Sequence, residues 1–217
     1  MSEEDDFEAV LEAVAECVKA IGDEVEGKIT ANDGSDVIGY QCSRGPLSYL
    51  VHGRRDSEFF TIQYPADVIS GIADILDESD AQEILSEDAI PSDPEDLTSG
   101  LLRRQAAVYV LDQQDEELMS KLEYEASTIL SSSDTSFSWR RTDENTFAGF
   151  DVHRKVFPYR EEFDVVEFDN AARAVIATGN LGSNFLTSSV VGGVLASTEP
   201  LSDPSSEPDS GDLRSFQ

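Results

Sequence analysis

The sequence predicts an α+β protein, in which amphipathic helices pack on one or more antiparallel sheets and an acidic C-terminal tail is disordered. Three observations lead to this class. Apolar residues recur at helical spacing near the N-terminus, and they alternate with polar residues in four successive runs between 25 and 64. Between 147 and 176 they first alternate with polar residues and then recur at helical spacing. These two periods belong to a helix and to a strand that each bury one face.

The first third of the chain predicts a helix followed by a meander. Residues 5–21 place their apolar side chains on one helical face, with acids in the first turn and Gly22 placed to end the helix. Four alternating runs follow, and turn signals such as Asn32-Asp33-Gly34 separate them. Four short strands with tight turns are typical of an antiparallel meander that buries one face.

A second amphipathic helix and an acidic linker are predicted next. The helix spans 67–76 and includes Ile75 among its inward-facing residues. Residues 77–96 are acidic and broken by prolines, so they predict a linker with one short helical turn near Ala81–Leu85.

The centre of the chain predicts further helices. One is expected to begin near Pro94, with Asp93 as its cap. The run from Ala106 to Leu111 suits a strand as well as a continued helix, and we favour the helix because no turn signal precedes it. Another helix is expected over 115–130, because its apolar residues form one stripe.

The last third predicts two strands and a capped helix. A strand over 136–141 precedes a second strand that ends at Phe157-Pro158. Asp164 is then placed to cap an amphipathic helix that contains Phe168. The segment Gly179-Asn180-Leu181-Gly182 predicts the end of that helix.

Two halves of similar element order follow from these predictions. We expect a helix–meander–helix half at 1–78, an acidic linker and helical connector at 79–113, a helix–hairpin–helix half at 114–195 and a disordered tail at 196–217. The halves are either copies of one module or contributors to a single sheet.

The charge balance is extreme. Asp and Glu total 45 against 15 Lys and Arg, which gives a formal net charge of −30, and lysine is nearly absent. Such self-repulsion works against a compact state at low salt, whereas molar salt screens it. The composition resembles that of cytosolic proteins from salt-accumulating halophilic archaea. Alternatively, the acid mimics nucleic acid or holds cations, but its spread over nearly every segment favours a solvated coat.

Several classes of partner and compartment are disfavoured. No basic stripe exists to neutralise phosphates, so we expect no binding of nucleic acid through a basic face. No apolar run is long enough to span a bilayer, and the acidic N-terminus is unlike a signal peptide. Cys17 and Cys42 are far apart in the sequence, so we expect them to be small buried side chains with free thiols in a reducing cytoplasm. A disulfide between them is the less favoured alternative.

The order of elements resembles a known fold. A helix, strands that end in an aromatic residue plus proline (Tyr64-Pro65, Phe157-Pro158) and a helix after an acidic cap are similar to the type III secretion chaperone-like fold. That fold includes the YbjN-like bacterial regulators and uncharacterised archaeal proteins. The resemblance covers roughly 5–178 and implies an α+β sandwich that binds polypeptides and is often dimeric. It offers no functional residues to carry over.

The sequence contains no motif for catalysis. His52 and His153 each lie beside arginine in a strand-like run, without neighbours at metal-ligand spacing, so ordinary surface histidines are expected. The chain has no nucleophile elbow and no phosphate-binding loop. We therefore predict no catalytic residue, no metal ligand and no cofactor.

Three arginine pairs stand out against the acid: Arg54 and Arg55, Arg103 and Arg104, and Arg140 and Arg141. Their simplest interpretation is salt bridging within an acidic surface. The alternative is a docking site for an acidic partner segment, because the planar guanidinium matches a carboxylate.

Two hypotheses for function follow. The first is a non-enzymatic, chaperone-like interaction module of a halophile cytoplasm, which holds a polypeptide partner or its own copy by strand addition or in an apolar groove. The alternative is a metal-dependent hydrolase or nuclease with clustered carboxylates. Six aromatic residues are the first candidates for mutation, and because all are predicted to lie in the core, loss of folding is the expected result: Tyr49, Phe60, Tyr64, Trp139, Phe150 and Phe168.

Overall fold

The structure of the chain is a computed structural model that describes residues 3–31, 36–85, 98–114, 116–131, 134–142 and 145–198. The helices are α1 (Glu3–Ala20), α2 (Val68–Ile75), α3 (Glu78–Ile84), α4 (Ser99–Asp112), α5 (Glu116–Leu130) and α6 (Val165–Thr198). The strands are β1 (Glu24–Thr30), β2 (Val37–Arg44), β3 (Leu47–Arg54), β4 (Phe60–Asp67), β5 (Ser136–Arg141) and β6 (Phe147–Val156). The predicted α+β class is confirmed.

The strands form one antiparallel sheet in the order β1-β2-β3-β4-β6-β5. The first four strands are the predicted meander. β6 pairs with β4 along its whole length, from Phe60 opposite Val156 to Asp67 opposite Gly149, and β5 forms the far edge. Strands from both halves of the chain therefore build a single sheet. The domain boundaries expected at 78, 113 and 195 remain predictions.

The apolar core lies between one face of the sheet and the helices α1 and α6. Phe7 of α1 stacks on Phe60 of β4, with ring centroids 5.5 Å apart. Trp139 of β5 meets Phe150 of β6 edge-on at 5.9 Å. The side chains predicted for the core lie there: Tyr49, Phe60, Phe150 and Phe168 are fully buried, and Tyr64 and Trp139 are partly buried against them.

The helical middle of the chain packs beside α2. The predicted turn near residue 81 is the helix α3, which begins with a capping box between Asp77 and Asp80. The run 106–111 is helical, as favoured, because α4 continues to Asp112 and buries most of that run. Several predicted features lie outside the described residues: the Asn32-Asp33-Gly34 turn, the Asp93 cap at Pro94, and the tail from 199 onward.

The helix α6 is longer than predicted, and its predicted end at Gly179-Asn180-Leu181-Gly182 is wrong. It begins as expected, since the Glu167 amide donates to Asp164 Oδ1 at 2.8 Å, but it continues to Thr198. The glycines are sites of close packing. A Cβ at Gly179 would clash with the Tyr64 ring, and one at Gly182 would lie 2.7 Å from Leu130 Cδ2.

Replacing Gly182 with leucine is expected to lower the free energy of unfolding by about 2 kcal/mol, because the added side chain overpacks the contact with Leu130 and Phe150. Gly192→Leu in the same helix is the matched control, since a Cβ there meets nothing within 4 Å. That control should be neutral or stabilising by up to about 0.8 kcal/mol through helix propensity. Chemical denaturation in high-salt buffer measures both, and equal effects would contradict the packing role.

Candidate functional site

The sheet has a second face, opposite α1 and α6, which we call the open face. Its central row runs across five strands and consists of Gln41, Leu50, Gln63, His153 and Ser136. All five are partly or fully exposed. Leu50 does not belong to the apolar residues that pack against the core. The five residues of this central row therefore face solvent, and none of them is a carboxylate, a lysine or an arginine.

The open face departs from the composition of the rest of the chain. The strands β2, β3 and β5 contain neither Asp nor Glu, although the chain has 45 acidic residues. β4 and β6 contain one each, and both are engaged: Asp67 accepts from the Ser70 amide at 3.0 Å, and Asp151 lies 3.4 Å from Arg140. Acid is therefore sparse on this face, although Gln41 Nε2 of the central row donates to Glu26 Oε2 of β1 at 2.7 Å.

Further charged residues of the open face lie around the central row. Glu24 lies on the edge strand β1, opposite Ser43. Arg54 lies at the end of β3, and Lys155 lies beside Thr61 toward the same end of the sheet. An uncharged centre with a charged rim is the arrangement found in protein–protein interfaces.

Both histidines lie on the open face, on the two strands that flank β4. His52 Nε2 is 2.9 Å from Gln63 Oε1, and His153 lies directly opposite Gln63 in the strand register. Both are partly exposed, and His52 is hydrogen-bonded to a polar side chain of the neighbouring strand. Within the described ranges, no three His, Cys, Asp or Glu side chains are placed to hold a metal ion.

The six arginines predicted for docking lie on three separate elements: Arg54 and Arg55 at the end of β3, Arg103 and Arg104 on α4, and Arg140 and Arg141 on β5. The structure brings two of them together at the end of β4. Arg104 Nη1 lies 3.3 Å from Asp67 Oδ2, and Arg140 Nη2 donates to the Ala66 carbonyl at 2.6 Å.

The other arginines also contact this chain. Arg141 pairs with Glu123 at 2.6 Å, and longer ion pairs of 3.6 Å join Arg54 to Asp56 and Arg55 to Glu8. Arg103 Nε is buried and has no hydrogen-bond partner in the described part of the chain. Arg55 lines a surface groove of about 730 Å³ together with Tyr159 and Arg160. Docking of an acidic segment by these arginines stays a prediction.

A polar cluster around the buried Asp23 joins the sheet to the long helix α6. Arg44 Nε donates to Asp23 Oδ1 at 2.7 Å, and its Nη2 reaches Asp169 of α6 at 3.0 Å. The Tyr49 hydroxyl donates to the second Asp23 oxygen at 2.7 Å. Burial, and next the hydrogen bond to Asp23, raise the pKa of Tyr49 well above its usual range. Each of these four side chains has a partner within the chain, so we interpret the cluster as structural.

The two cysteines are free and buried, as predicted. Burial, followed by the charge of Asp23, raises the pKa of Cys42 to about 12. A thiol with so high a pKa has almost no thiolate at neutral pH, and the thiolate is the reactive form. Cys42 is therefore a packing residue.

Alkylation of Cys42 by iodoacetamide near pH 8 is expected to be at least about a hundredfold slower in the folded protein than in denaturant, because both access and thiolate are lost. Mass spectrometry of digested samples separates Cys42 from Cys17. The unfolded chain is the control for intrinsic reactivity. Equal rates in the two states would contradict the burial of this thiol.

Comparison with known proteins bears on the fold alone. No family model matches the chain, and no curated protein matches it. A crystal structure of an uncharacterized protein from Methanothermobacter thermautotrophicus is similar, with a TM-score of 0.53, 9% sequence identity, 82% of this chain covered and 96% of that chain covered. In the described part of the chain, no helix is long and apolar enough to cross a membrane.

The open face was not identified among the predicted site residues. The sequence indicates this face only through the stretch 37–55, which contains no Asp or Glu. The face itself is defined by the strand register, which places Leu50, Gln63 and His153 side by side.

Proposed function

We propose that the protein is a non-enzymatic interaction module of the cytoplasm, and that it binds a polypeptide on the open face. The observation that supports this function is the scarcity of acid on that face, since β2, β3 and β5 contain no Asp or Glu in a chain of net charge −30. A face that meets another protein needs an uncharged centre, because charged residues are depleted at the centres of interfaces.

The face of the sheet suits a partner better than its edges do. The edge strand β1 carries Glu24, Glu26 and Lys28, and its pairing with β2 shifts register between Val25 and Gly27. The other edge, β5, is six residues long and ends at a register shift beside two arginines. Short, charged and bulged strands are the devices by which proteins prevent strand addition. We therefore assign the partner to the face.

Site-specific photo-crosslinking tests this function. A photoreactive amino acid in place of Gln63, at the centre of the open face, is expected to form covalent adducts with polypeptide in a high-salt lysate of the source organism. The matched position is Gln113, an exposed glutamine that follows α4. Adducts should form at Gln63 and not at Gln113, and Leu50→Glu should abolish them. Equal adducts at both positions, or none at Gln63, would contradict the proposal.

A further inference from the structure

A groove at one end of the sheet is built from three segments that are distant in the sequence. Asp6 comes from near the N-terminus of α1, and Ser57 and Glu58 come from the turn between β3 and β4. Tyr159 and Arg160 come from the loop between β6 and α6. The volume of this end groove, about 730 Å³, lies within the range of small-molecule sites.

The end groove is held in shape by the core and by the backbone. The ring of Tyr159 lies 6.5 Å from that of Phe60, centre to centre, and packs against the apolar core. The loop that carries Arg160 is closed by its own hydrogen bond, since the Arg160 amide donates to the Phe157 carbonyl at 3.0 Å. A site that is already formed loses little conformational freedom when a ligand binds.

Arg160 is a cation that the described part of the chain does not neutralise. Its guanidinium carbon lies 4.0 Å from the centre of the Phe157 ring, yet it forms no ion pair with a described residue, although three carboxylates line the same groove. Eight other arginines do form ion pairs. Stacking on a ring orients the planar guanidinium and leaves its in-plane N–H groups available for a carboxylate.

The end groove also presents carboxylates that have no counter-charge. Asp6 and Glu58 are exposed and form no ion pair within the described ranges. The other two charged residues of the lining, Arg55 and Asp56, are ion-paired at 3.6 Å with residues that do not line the groove. The groove therefore carries a cation and two anions that do not pair with one another. Such separated charges are complementary to a ligand that carries both signs.

Tyr159 adds a neutral donor and an aromatic surface to the groove. Burial, followed by the negative charge of Asp6, raises the pKa of Tyr159. Its hydroxyl therefore keeps its proton at neutral pH and can donate a hydrogen bond. The ring offers contact area to an apolar or aromatic side chain of a ligand.

We propose that the end groove binds a zwitterion, either a free α-amino acid or a short peptide. The carboxylate of the ligand pairs with Arg160, and its ammonium group lies at Asp6 and Glu58. A ligand with only a negative charge is repelled by these acids and by a chain of net charge −30. A ligand with only a positive charge is repelled by Arg160 and leaves it unpaired. The proposal is independent of the proposed function, because no residue of the central row lines the end groove.

Three probes of similar shape test the proposal: phenylalanine, hydrocinnamate, which lacks the ammonium group, and phenethylamine, which lacks the carboxylate. Each is titrated into the isotope-labelled full chain in molar potassium chloride, and glycyl-phenylalanine is added as a fourth probe to distinguish a peptide from a free amino acid. A zwitterion is expected to shift the amide resonances of Tyr159 and Arg160 saturably at millimolar concentration. It should bind at least about fivefold more tightly than either analogue with a single charge. Equal affinities, or no saturable shift with either zwitterion, would overturn the proposal.

Neutral variants then assign the two charges of the ligand. Arg160→Gln should remove the preference for a zwitterion over phenethylamine, and Asp6→Asn combined with Glu58→Gln should remove the preference over hydrocinnamate. Arg173→Gln, at an exposed position of α6 outside the groove, is the matched control and should bind as the native chain does. The amide spectrum shows whether each variant is folded, and the comparison of probes on the native chain depends on no variant. An unchanged preference in either folded groove variant would contradict the assignment.

Discussion

Replacing Arg44 with alanine is expected to lower the free energy of unfolding by about 3–5 kcal/mol, the range observed when one partner of a buried ion pair is removed. Arg44 donates to Asp23, whose side chain is only 2% exposed, and also reaches Asp169 on α6. The variant leaves the Asp23 carboxylate buried with the Tyr49 hydroxyl as its donor. A buried charge without its counter-charge is among the largest penalties that a substitution can create.

The matched control for this variant is Arg173→Ala. Arg173 pairs with the same Asp169 at 2.7 Å, but its side chain is 69% exposed, so the loss should stay below about 1 kcal/mol. A second control replaces both members of the buried pair, Asp23→Leu with Arg44→Met, and should recover much of the lost stability because no buried charge remains. Denaturant unfolding measures all three. A loss for Arg44→Ala as small as that for Arg173→Ala would show that the cluster is not desolvated.

The free energy of unfolding is expected to rise by on the order of 5 kcal/mol between about 0.1 M and 2 M potassium chloride. Two like charges 10 Å apart in water repel by about 0.4 kcal/mol, and the chain carries a net charge of −30 over a compact surface. Molar salt shortens the Debye length from about 10 Å to about 3 Å and removes most of this repulsion. We propose from the composition that the protein is adapted to high salt, and this adaptation requires its stability to rise with salt concentration.

Neutralising variants separate screening from other effects of salt. Glu12→Gln, Asp74→Asn and Glu125→Gln together remove three charges from exposed positions on three helices. The combined variant should be more stable than the native chain at low salt and should respond less steeply to added salt. Thermal unfolding followed by circular dichroism across a salt series measures both. A stability that does not change with salt would refute the proposed adaptation.

Much of the fold follows from local patterns in the sequence. α1 and the meander β1–β4 were predictable because their apolar periods are long and turn residues separate them. The true length of α6 was not predictable, since Gly179 and Gly182 contact Tyr64, Leu130 and Phe150, which come from distant parts of the chain. The same limit applies to Ile75. Its spacing predicted an inward position, yet its side chain is 52% exposed at the end of α2.

The candidate site was less predictable than the fold. The arginine pairs are rare positive charges in an acidic chain, but they chiefly contact carboxylates and carbonyls of the same molecule. The open face results from two features: 37–55 contains no Asp or Glu, and β6 lies between β4 and β5 in the sheet. Local periodicity specifies which residues alternate, whereas it does not specify which strands become neighbours.

The pairing of β4 with β6 has a consequence for how the chain folds as it is synthesised. Ala66 of β4 meets Phe150 of β6, and four helices separate these strands in the sequence. During translation the meander leaves the ribosome with the β4 edge bare, and it stays so until β6 emerges. This raises the contact order and slows folding. The nascent chain therefore passes through a stage at which the unpaired strand β4, which has low charge, is exposed and can pair with an incorrect strand.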